Sequence, residues 1–230
     1  MEKDIGTLVL IAVTGYLLGS FPTAYLLVKR FARKNILEWG TANVGSLNVY
    51  RATNSKTLTV ANLAGDFLKG ALAMVVGFYV ARATGLEPDV GAAAGGILAV
   101  LGHNYTVFLR FRGGKGLATS FPVLLFLAPP LVLLWIVTFL ASVAATRLLV
   151  VGQILGTVAM PIGCYILFPD VVVPVSILAL VVSGPSLSTV SGWRRSRTNR
   201  VRGMLPTTVV WKSLVSGICK SVLWCPSYLR

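Results

Sequence analysis

Two stretches of this sequence combine residue types that bind anions. The run Gly113-Gly114-Lys115-Gly116 follows two arginines, Arg110 and Arg112, and the segment from Gly40 to Arg51 is dense in Asn, Gly, Thr and Ser. Glycines let the backbone approach a ligand closely with its N–H groups turned towards it, and nearby cations add positive charge. Both stretches therefore suit phosphate. The alternative for the cations of the glycine run is a topogenic cluster that keeps a short loop in the cytoplasm.

The polar residues of the candidate cytoplasmic loops are mainly hydroxyls, amides and cations: Thr41, Asn43, Asn48, Arg51, Lys115, Arg147, Arg197 and Asn199. They provide no Ser–His–Asp set, no cluster of metal ligands and no carboxylate pair. The glycine run also lacks the spacing of a P-loop, which argues against a kinase or an ATPase. The single histidine, His103, is more often a hydrogen-bonding or capping residue than a general base in such a position. Acyl transfer from a mixed acid anhydride fits this set, because it needs no protein base and phosphate leaves readily.

The composition is that of an integral membrane protein. Of 230 residues, 55% are hydrophobic and 12% are charged, whereas soluble domains carry about 25% charged residues. The net charge of +14 is concentrated in groups that punctuate membrane-length apolar runs. Cationic loops facing anionic lipid and an anionic substrate explain this bias better than nucleic acid does.

The apolar runs predict membrane helices of about 20 residues or more. The first run is interrupted by Gly19-Ser20-Phe21-Pro22, and a polar loop is expected from Asn35 to Lys56. Asp66 and Lys69 are three residues apart, so we expect them on one helix face, turned to the bundle interior and able to pair. The runs are Ile5–Val28, Thr57–Ala83, Gly91–Phe108, Leu117–Ala145, Leu148–Phe168 and residues 171 to about 189.

The order of basic loops predicts how the chain crosses the membrane. If residues 117–145 form a hairpin that turns at Ala128-Pro129-Pro130, both Arg147 and the basic group from Arg194 to Arg202 return to the cytoplasm. The positive-inside rule favours that hairpin. The fold class is then all-α and polytopic, with seven transmembrane helices, the N-terminus outside and the C-terminus cytoplasmic. Residues 206–230 form a tail, either an amphipathic helix at the interface or disordered.

Three segments in order resemble one known family. Gly40-Thr41-Ala42-Asn43-Val44-Gly45-Ser46-Leu47-Asn48-Val49-Tyr50-Arg51 resembles its motif Gly-Ser-Gly-Asn-x-Gly-Ala-x-Asn-x-x-Arg. The two further signatures are Asp66-Phe67-Leu68-Lys69-Gly70 and Gly102-His103-Asn104-Tyr105, the latter leading into residues 113–119. The family is the membrane-integral acyl-phosphate:glycerol-3-phosphate acyltransferases of bacteria, the PlsY type, and the resemblance covers roughly residues 10 to 200 of a membrane domain spanning 1–205.

The resemblance implies an activity and residue roles. The expected reaction transfers a fatty acyl group from acyl-phosphate to the 1-hydroxyl of glycerol 3-phosphate at the cytoplasmic face of the cell membrane, without coenzyme A, another cofactor or a metal. No catalytic side chain is assigned, because the substrate's phosphate takes the proton. The implied contacts are Thr41, Arg51, Lys115 and Asn199 for glycerol 3-phosphate and Gly113 and Gly114 for acyl-phosphate, with Asn43, Asn48, Asp66, Lys69, His103 and Asn104 in support.

The sequence departs from the family pattern near its end. Ser196-Arg197-Thr198-Asn199 occupies a stretch that resembles His-Arg-Glu-Asn in the family, so Asn199 is retained while the histidine and glutamate are absent. Three alternatives stay open: a non-catalytic homologue that binds lipid phosphates, transfer to a different phosphorylated acceptor, or an anion transporter. Neither acyl-chain preference nor oligomeric state follows from the sequence.

Overall fold

A computed structural model of the chain describes residues 2–195, with side chains from residue 4 to residue 185. This part of the chain is helical and contains no strand, as predicted. Its helices are α1 Glu2–Ser20, α2 Thr23–Leu27, α3 Ser46–Thr53, α4 Lys56–Thr84, α5 Pro88–Asn104, α6 Leu117–Leu127, α7 Pro129–Thr146, α8 Leu149–Leu167 and α9 Val172–Arg195.

The first apolar run breaks where its sequence predicts. Helix α1 stops at Ser20, and α2 begins after Pro22, whose ring cannot supply a backbone N–H to the preceding turn. The carbonyl of Phe21 is left outside the helical ladder and accepts a hydrogen bond from Lys69 Nζ at 3.1 Å. Helix α2 then passes into a short π-helical turn, Val28–Ala32.

The expectation of a polar loop from Asn35 to Lys56 was wrong in part. The segment contains a 3₁₀ turn, Ile36–Glu38, and the eight-residue helix α3. Helix α3 forms because Val49 and Ala52 lie one turn apart and pack into an apolar cluster with Ala24, Val28 and Ile36. Two apolar residues at helical spacing thus support a helix in a segment whose composition indicates a loop.

Helices α1, α4 and α5 pack closely because small residues line their contacts. A Cβ atom on Gly19 of α1 would overlap the backbone of Ala99 on α5, and one on Gly77 of α4 would overlap the backbone of Gly91. Such contacts let helix backbones approach, as is common in membrane bundles. Helix α5 extends from Pro88 to Asn104, whereas the sequence suggested 91–108. Its end is earlier than expected because Val107–Leu109 form a separate 3₁₀ turn.

The interruption between α6 and α7 lies at Ala128, as predicted, and Pro129 opens the second helix. Within the described residues, five helical stretches are long and apolar enough to cross a membrane: Asp4–Ala32, Lys56–Thr84, Pro88–Leu109, Pro129–Thr146 and Leu149–Leu167. Helix α6 and the stretch Pro169–Pro185 are apolar but shorter. A second apolar cluster, separate from the one that holds α3, packs α6 to α9 around Val123, Leu131, Val175 and Leu178.

Candidate active site

Asn48 folds the segment that precedes α3 into a compact turn. Its side chain is buried, and its amide nitrogen donates to the carbonyls of Asn43 at 2.8 Å and Trp39 at 3.0 Å. Its carbonyl oxygen accepts from the backbone N–H of Thr41 at 3.2 Å. Since three separate backbone groups depend on one side chain, Asn48 fixes the shape of this turn.

The same turn places Thr41 and Arg51 at its surface. Gly40, between Trp39 and Thr41, has a φ of +56°, and a Cβ there would overlap Asn48 and lie 3.3 Å from Arg51 Cδ. The Thr41 side chain is exposed, whereas Arg51 is half-buried. The Asn43 side chain accepts from the N–H of Gly45 at 3.2 Å and closes the turn from the other end.

The glycine run lies against the end of α5. The N–H of Gly114 donates to the carbonyl of His103 at 3.0 Å, and a Cβ on Gly114 would overlap the imidazole of His103. Gly116, with a φ of +75°, lies against the Asn104 side chain. The N–H of Gly114 is therefore used within the protein. In the described part of the chain, the N–H groups of Gly113, Lys115 and Gly116 have no backbone acceptor and can turn to an anion.

A backbone hydrogen bond joins the two polar segments. The N–H of Val44 donates to the carbonyl of Gly113 at 3.4 Å. Lys115 is half-buried, and its pKa lies below that of an ordinary lysine because burial disfavours the charged amine and because the cation of Arg51 is near. Burial also lowers the pKa of Arg51, although a guanidinium stays protonated under ordinary conditions. Arg51 and Lys115 thus lie near enough to interact electrostatically, and their joint contact with a phosphate stays a prediction.

Neither of these two cations has a carboxylate partner among the described residues. The Nε of Arg51 is buried and has no hydrogen-bond acceptor there. Two neighbouring cations that are partly removed from water and lack a counter-ion repel each other. A dianionic ligand would neutralise both, so this arrangement can bind a phosphate group.

Beneath the two segments lies a buried polar network centred on Asp66, which is 2% exposed. The Lys69 amine is 2.8 Å from one carboxylate oxygen, and the amide of Asn62 donates to the other at 3.0 Å. The predicted pairing of Asp66 with Lys69 is confirmed. His103 Nδ1 lies 3.4 Å from Asp66, at ion-pair distance but without the alignment of a hydrogen bond. His103 is enclosed between Asp66 and Gly114, so it does not reach the cleft where a general base would act.

Two members of this network, Asn62 and Ser46, were not predicted from the sequence. The amide of Asn62 donates to Ser46 Oγ at 2.9 Å as well as to Asp66, which links α4 to the first residue of α3. Asn62 precedes Asp66 by four residues, so helical spacing was the available signal. Asn104 lies at the other side of the site and donates to the carbonyl of Val181 on α9 at 2.7 Å.

An apolar cleft begins where the glycine run ends. Leu117, the first residue of α6, lines it together with Phe121, Val132, Trp135, Met160 and Leu178. These residues come from four helices, α6 to α9. The cleft lies within the apolar part of the bundle, and Leu117 is the residue directly after the glycine run.

Two sets of predicted site residues are not part of the site described above. Asn199, with its neighbours Ser196 and Thr198, lies outside the described residues, as does the tail 206–230. Arg147 is exposed and follows the last residue of α7. Among the described residues, no three His, Cys, Asp or Glu side chains are grouped so that they could hold a metal ion.

The family model and the similar proteins carry the same description. The family model for glycerol-3-phosphate acyltransferase matches residues 9–199. A glycerol-3-phosphate acyltransferase of Geobacter sulfurreducens is 43% identical over 158 residues, covering 69% of this chain and 77% of the relative. One from Clostridioides difficile is 36% identical over 165 residues, covering 72% and 78%.

Solved structures share the fold. The crystal structure of PlsY (YgiH), an integral membrane glycerol 3-phosphate acyltransferase in its glycerol 3-phosphate form, aligns with a TM-score of 0.67 and 24% identity. The alignment covers 89% of this chain and 98% of that one. A form of the same protein with lysophosphatidic acid aligns with a TM-score of 0.65, also at 24% identity.

Proposed function

This chain belongs to the glycerol-3-phosphate acyltransferase family, and we propose that it uses acyl-phosphate as the acyl donor. The 1-hydroxyl oxygen of glycerol 3-phosphate attacks the acyl carbonyl, and the bond from that carbonyl to the phosphate oxygen breaks. The products are 1-acyl-glycerol 3-phosphate and inorganic phosphate. The proton of the hydroxyl leaves with the phosphate, so charge and atoms balance without a cofactor.

The observation that carries the proposed binding of a phosphorylated substrate is the proximity of Arg51 and Lys115 without a carboxylate among the described residues. The curated relatives are named for glycerol 3-phosphate. In this chain, Arg51, Lys115 and the hydroxyl of Thr41 bind the phosphate of that acceptor, with Asn199 completing the contact. Because both substrates carry a phosphate, the N–H groups of Gly113, Lys115 and Gly116 are assigned to the acyl-phosphate.

The mechanism needs no protein base. His103 is enclosed behind Gly114, and the Asp66 carboxylate is already engaged by Asn62 and Lys69. The site acts by holding two anions together and by stabilising negative charge that develops on the carbonyl oxygen. The leaving phosphate of the donor is itself basic enough to accept the proton of the attacking hydroxyl.

The apolar cleft is assigned to the acyl chain. Its lining includes Leu117, the residue directly after the glycine run, together with Phe121 and Trp135. A fatty acyl chain whose phosphate lies at the glycine run would enter this cleft from the bilayer and remain in apolar surroundings.

The proposal extends to topology. Residues 1–205 form the membrane domain with seven crossings, the N-terminus lies outside, and both the site and the C-terminus face the cytoplasm. The basic loops 29–34 and 110–115 support this orientation, since cationic loops are retained on the cytoplasmic side. Helix α6, too short to cross alone, is the first limb of the hairpin that turns at Pro129.

A donor comparison tests the chemistry. Purified full-length protein receives glycerol 3-phosphate with either palmitoyl-phosphate or palmitoyl-coenzyme A, and lysophosphatidic acid is measured by mass spectrometry. We expect product only with palmitoyl-phosphate. Product only with the thioester would overturn the choice of donor. In a parallel reaction another phosphorylated acceptor replaces glycerol 3-phosphate. Product in that reaction alone would favour transfer to a different acceptor, the alternative suggested by Ser196 and Thr198.

A further inference from the structure

The Asp66 carboxylate connects the two segments that bind phosphate in the proposed reaction. It is buried in the bundle, where an isolated charge would be costly. One oxygen accepts from Asn62 and the other lies beside Lys69, both on α4, and His103 of α5 approaches that second oxygen. Replacing a buried ion pair by apolar residues is often neutral or stabilising, so stability alone does not account for this arrangement.

The first connection leads to Arg51. Asn62 uses one amide hydrogen for Asp66 and the other for Ser46 Oγ, at 3.0 and 2.9 Å. Ser46 is the first residue of α3, the short helix that carries Arg51. Because α3 has only two turns and packs through few apolar residues, this bond helps to fix where α3 lies on α4.

The second connection leads to the glycine run. His103 lies between the Asp66 carboxylate and Gly114, with Nδ1 towards the first and Nε2 towards the second. The carbonyl of His103 also accepts the N–H of Gly114. A rotation of the imidazole would therefore press on the backbone that precedes Lys115.

The third connection leads to the break between α1 and α2. The amine of Lys69 contacts both Asp66 and the carbonyl of Phe21. This contact neutralises the carboxylate and gives the Phe21 carbonyl, which already accepts the N–H of Thr23 at 3.0 Å, a second donor. The network is thereby tied to the break between α1 and α2.

We propose that Asp66 is a positioning residue that sets the distance between Arg51 and Lys115, acting through Asn62 and Ser46 on one arm and through His103 and Gly114 on the other. This inference rests on the proposed function of those cations. It predicts separable effects of the two arms. Loss of the Asn62 arm weakens glycerol 3-phosphate binding through Arg51, whereas loss of the His103 arm also disturbs the acyl-phosphate contacts of the glycine run.

Steady-state kinetics of purified Asn62→Ala, Ser46→Ala, His103→Gln and Asp66→Asn tests the two arms. We expect Asn62→Ala to raise KM for glycerol 3-phosphate about tenfold, as losing buried hydrogen bonds does, with little change in KM for palmitoyl-phosphate. Ser46→Ala should do the same more weakly. His103→Gln should lower kcat and raise KM for palmitoyl-phosphate. Thr84→Val, which removes an intrahelical hydrogen bond at the far end of α4, is the matched control and should behave as wild type.

Coupling distinguishes positioning from general damage. If both arms act through Asp66, adding Asn62→Ala to Asp66→Asn should worsen KM for glycerol 3-phosphate by less than the product of the single effects. Multiplicative effects, or equal changes in both KM values for Asn62→Ala, would overturn the inference. Should Asp66→Asn fail to fold, the contrast between Asn62→Ala and His103→Gln decides the question. An inactive wild-type enzyme would instead refute the proposed function, and the glycerol 3-phosphate Kd of each variant would then test the Asn62 arm.

Discussion

At the scale of single residues, Arg51 and Lys115 are held close together by parts of the chain that are far apart in sequence. Arg51 lies on α3. Lys115 lies in a loop that is anchored to α5 by the hydrogen bond from Gly114 to His103. In the ligand-free protein this proximity is unfavourable, because both cations are partly buried and repel each other. A phosphate dianion relieves the repulsion, so ligand affinity and site geometry are directly linked.

Arg51→Ala and Lys115→Ala should each weaken transition-state stabilisation by about 1.5–3 kcal/mol, the range for a hydrogen bond to a charged group. The measurement is kcat/KM for glycerol 3-phosphate. Arg110→Ala is the control, because Arg110 is an exposed cation of the same loop. Wild-type kinetics in both test variants would mean that the phosphate lies elsewhere.

The lowered pKa of Lys115 predicts a pH dependence. Phosphate binding needs the protonated amine, so the Kd for glycerol 3-phosphate should rise as the pH increases through that lowered pKa. The folding free energy responds in the opposite sense. An unfolded lysine keeps its ordinary pKa, hence the unfolded chain binds more protons between the two values and the ligand-free fold gains stability as pH rises there.

Lys115→Arg checks the assignment of that pH dependence, because a guanidinium remains protonated throughout. Calorimetric titration with glycerol 3-phosphate at increasing alkaline pH should give a flatter profile for this variant than for the wild type. Parallel profiles would assign the titration to another group, such as the ligand.

The sequence allowed some of these residues to be recognised but not their connections. The spacing of Asp66 and Lys69 predicts their contact, because both lie on one helix face. Asn62 and Ser46 are joined across two helices, and nothing in their local sequence indicates that contact. The role of Gly114 also differs from expectation, since its N–H is bonded to His103 and its lack of a side chain is what matters.

At the scale of helices and loops, proline and glycine positions were the most informative features. Pro22 and Pro129 mark the breaks on either side of which separate helices form. The missing N–H of proline favours such breaks, although Pro122 and Pro161 lie inside α6 and α8 without ending them. Helix α3 could not be predicted in this way, because its stability depends on apolar contacts with α2 and the turn before it, which only the folded chain provides.

Two glycines of α1 give opposite predictions for substitution by alanine. Gly19→Ala should destabilise the fold by about 1–3 kcal/mol, because the new methyl group overlaps the Ala99 backbone of α5. Gly6→Ala meets no atom within 4 Å and should stabilise α1 by up to about 1 kcal/mol. Thermal unfolding in detergent measures both. Equal shifts in the two variants would contradict the close packing of α1 on α5.

At the scale of the whole molecule, the order of helices and charges carries the proposed topology. Five described stretches are long enough to cross, and counting crossings depends on α6 and on the shorter stretch that begins α9. Because basic groups occur in loops along the whole chain, together they predict a topology that no single helix determines. Asn199, which the family resemblance assigns to the site, lies outside the described residues.

Cysteine labelling tests the hairpin between α6 and α7. In a background with Cys164→Ser, Cys219→Ser and Cys225→Ser, Pro130→Cys should react with a membrane-impermeant maleimide added to intact cells. Arg112→Cys should react only after the membrane is opened. Labelling of Pro130→Cys from the cytoplasmic side would remove the hairpin and reverse every following helix.

The most direct test of the account is turnover by the purified full-length chain with palmitoyl-phosphate and glycerol 3-phosphate, measuring inorganic phosphate and lysophosphatidic acid in the same reaction. We predict that the two products appear in equal amounts and that Lys115→Ala lowers both together. Phosphate release that does not depend on glycerol 3-phosphate, or binding of glycerol 3-phosphate without either product, would contradict it.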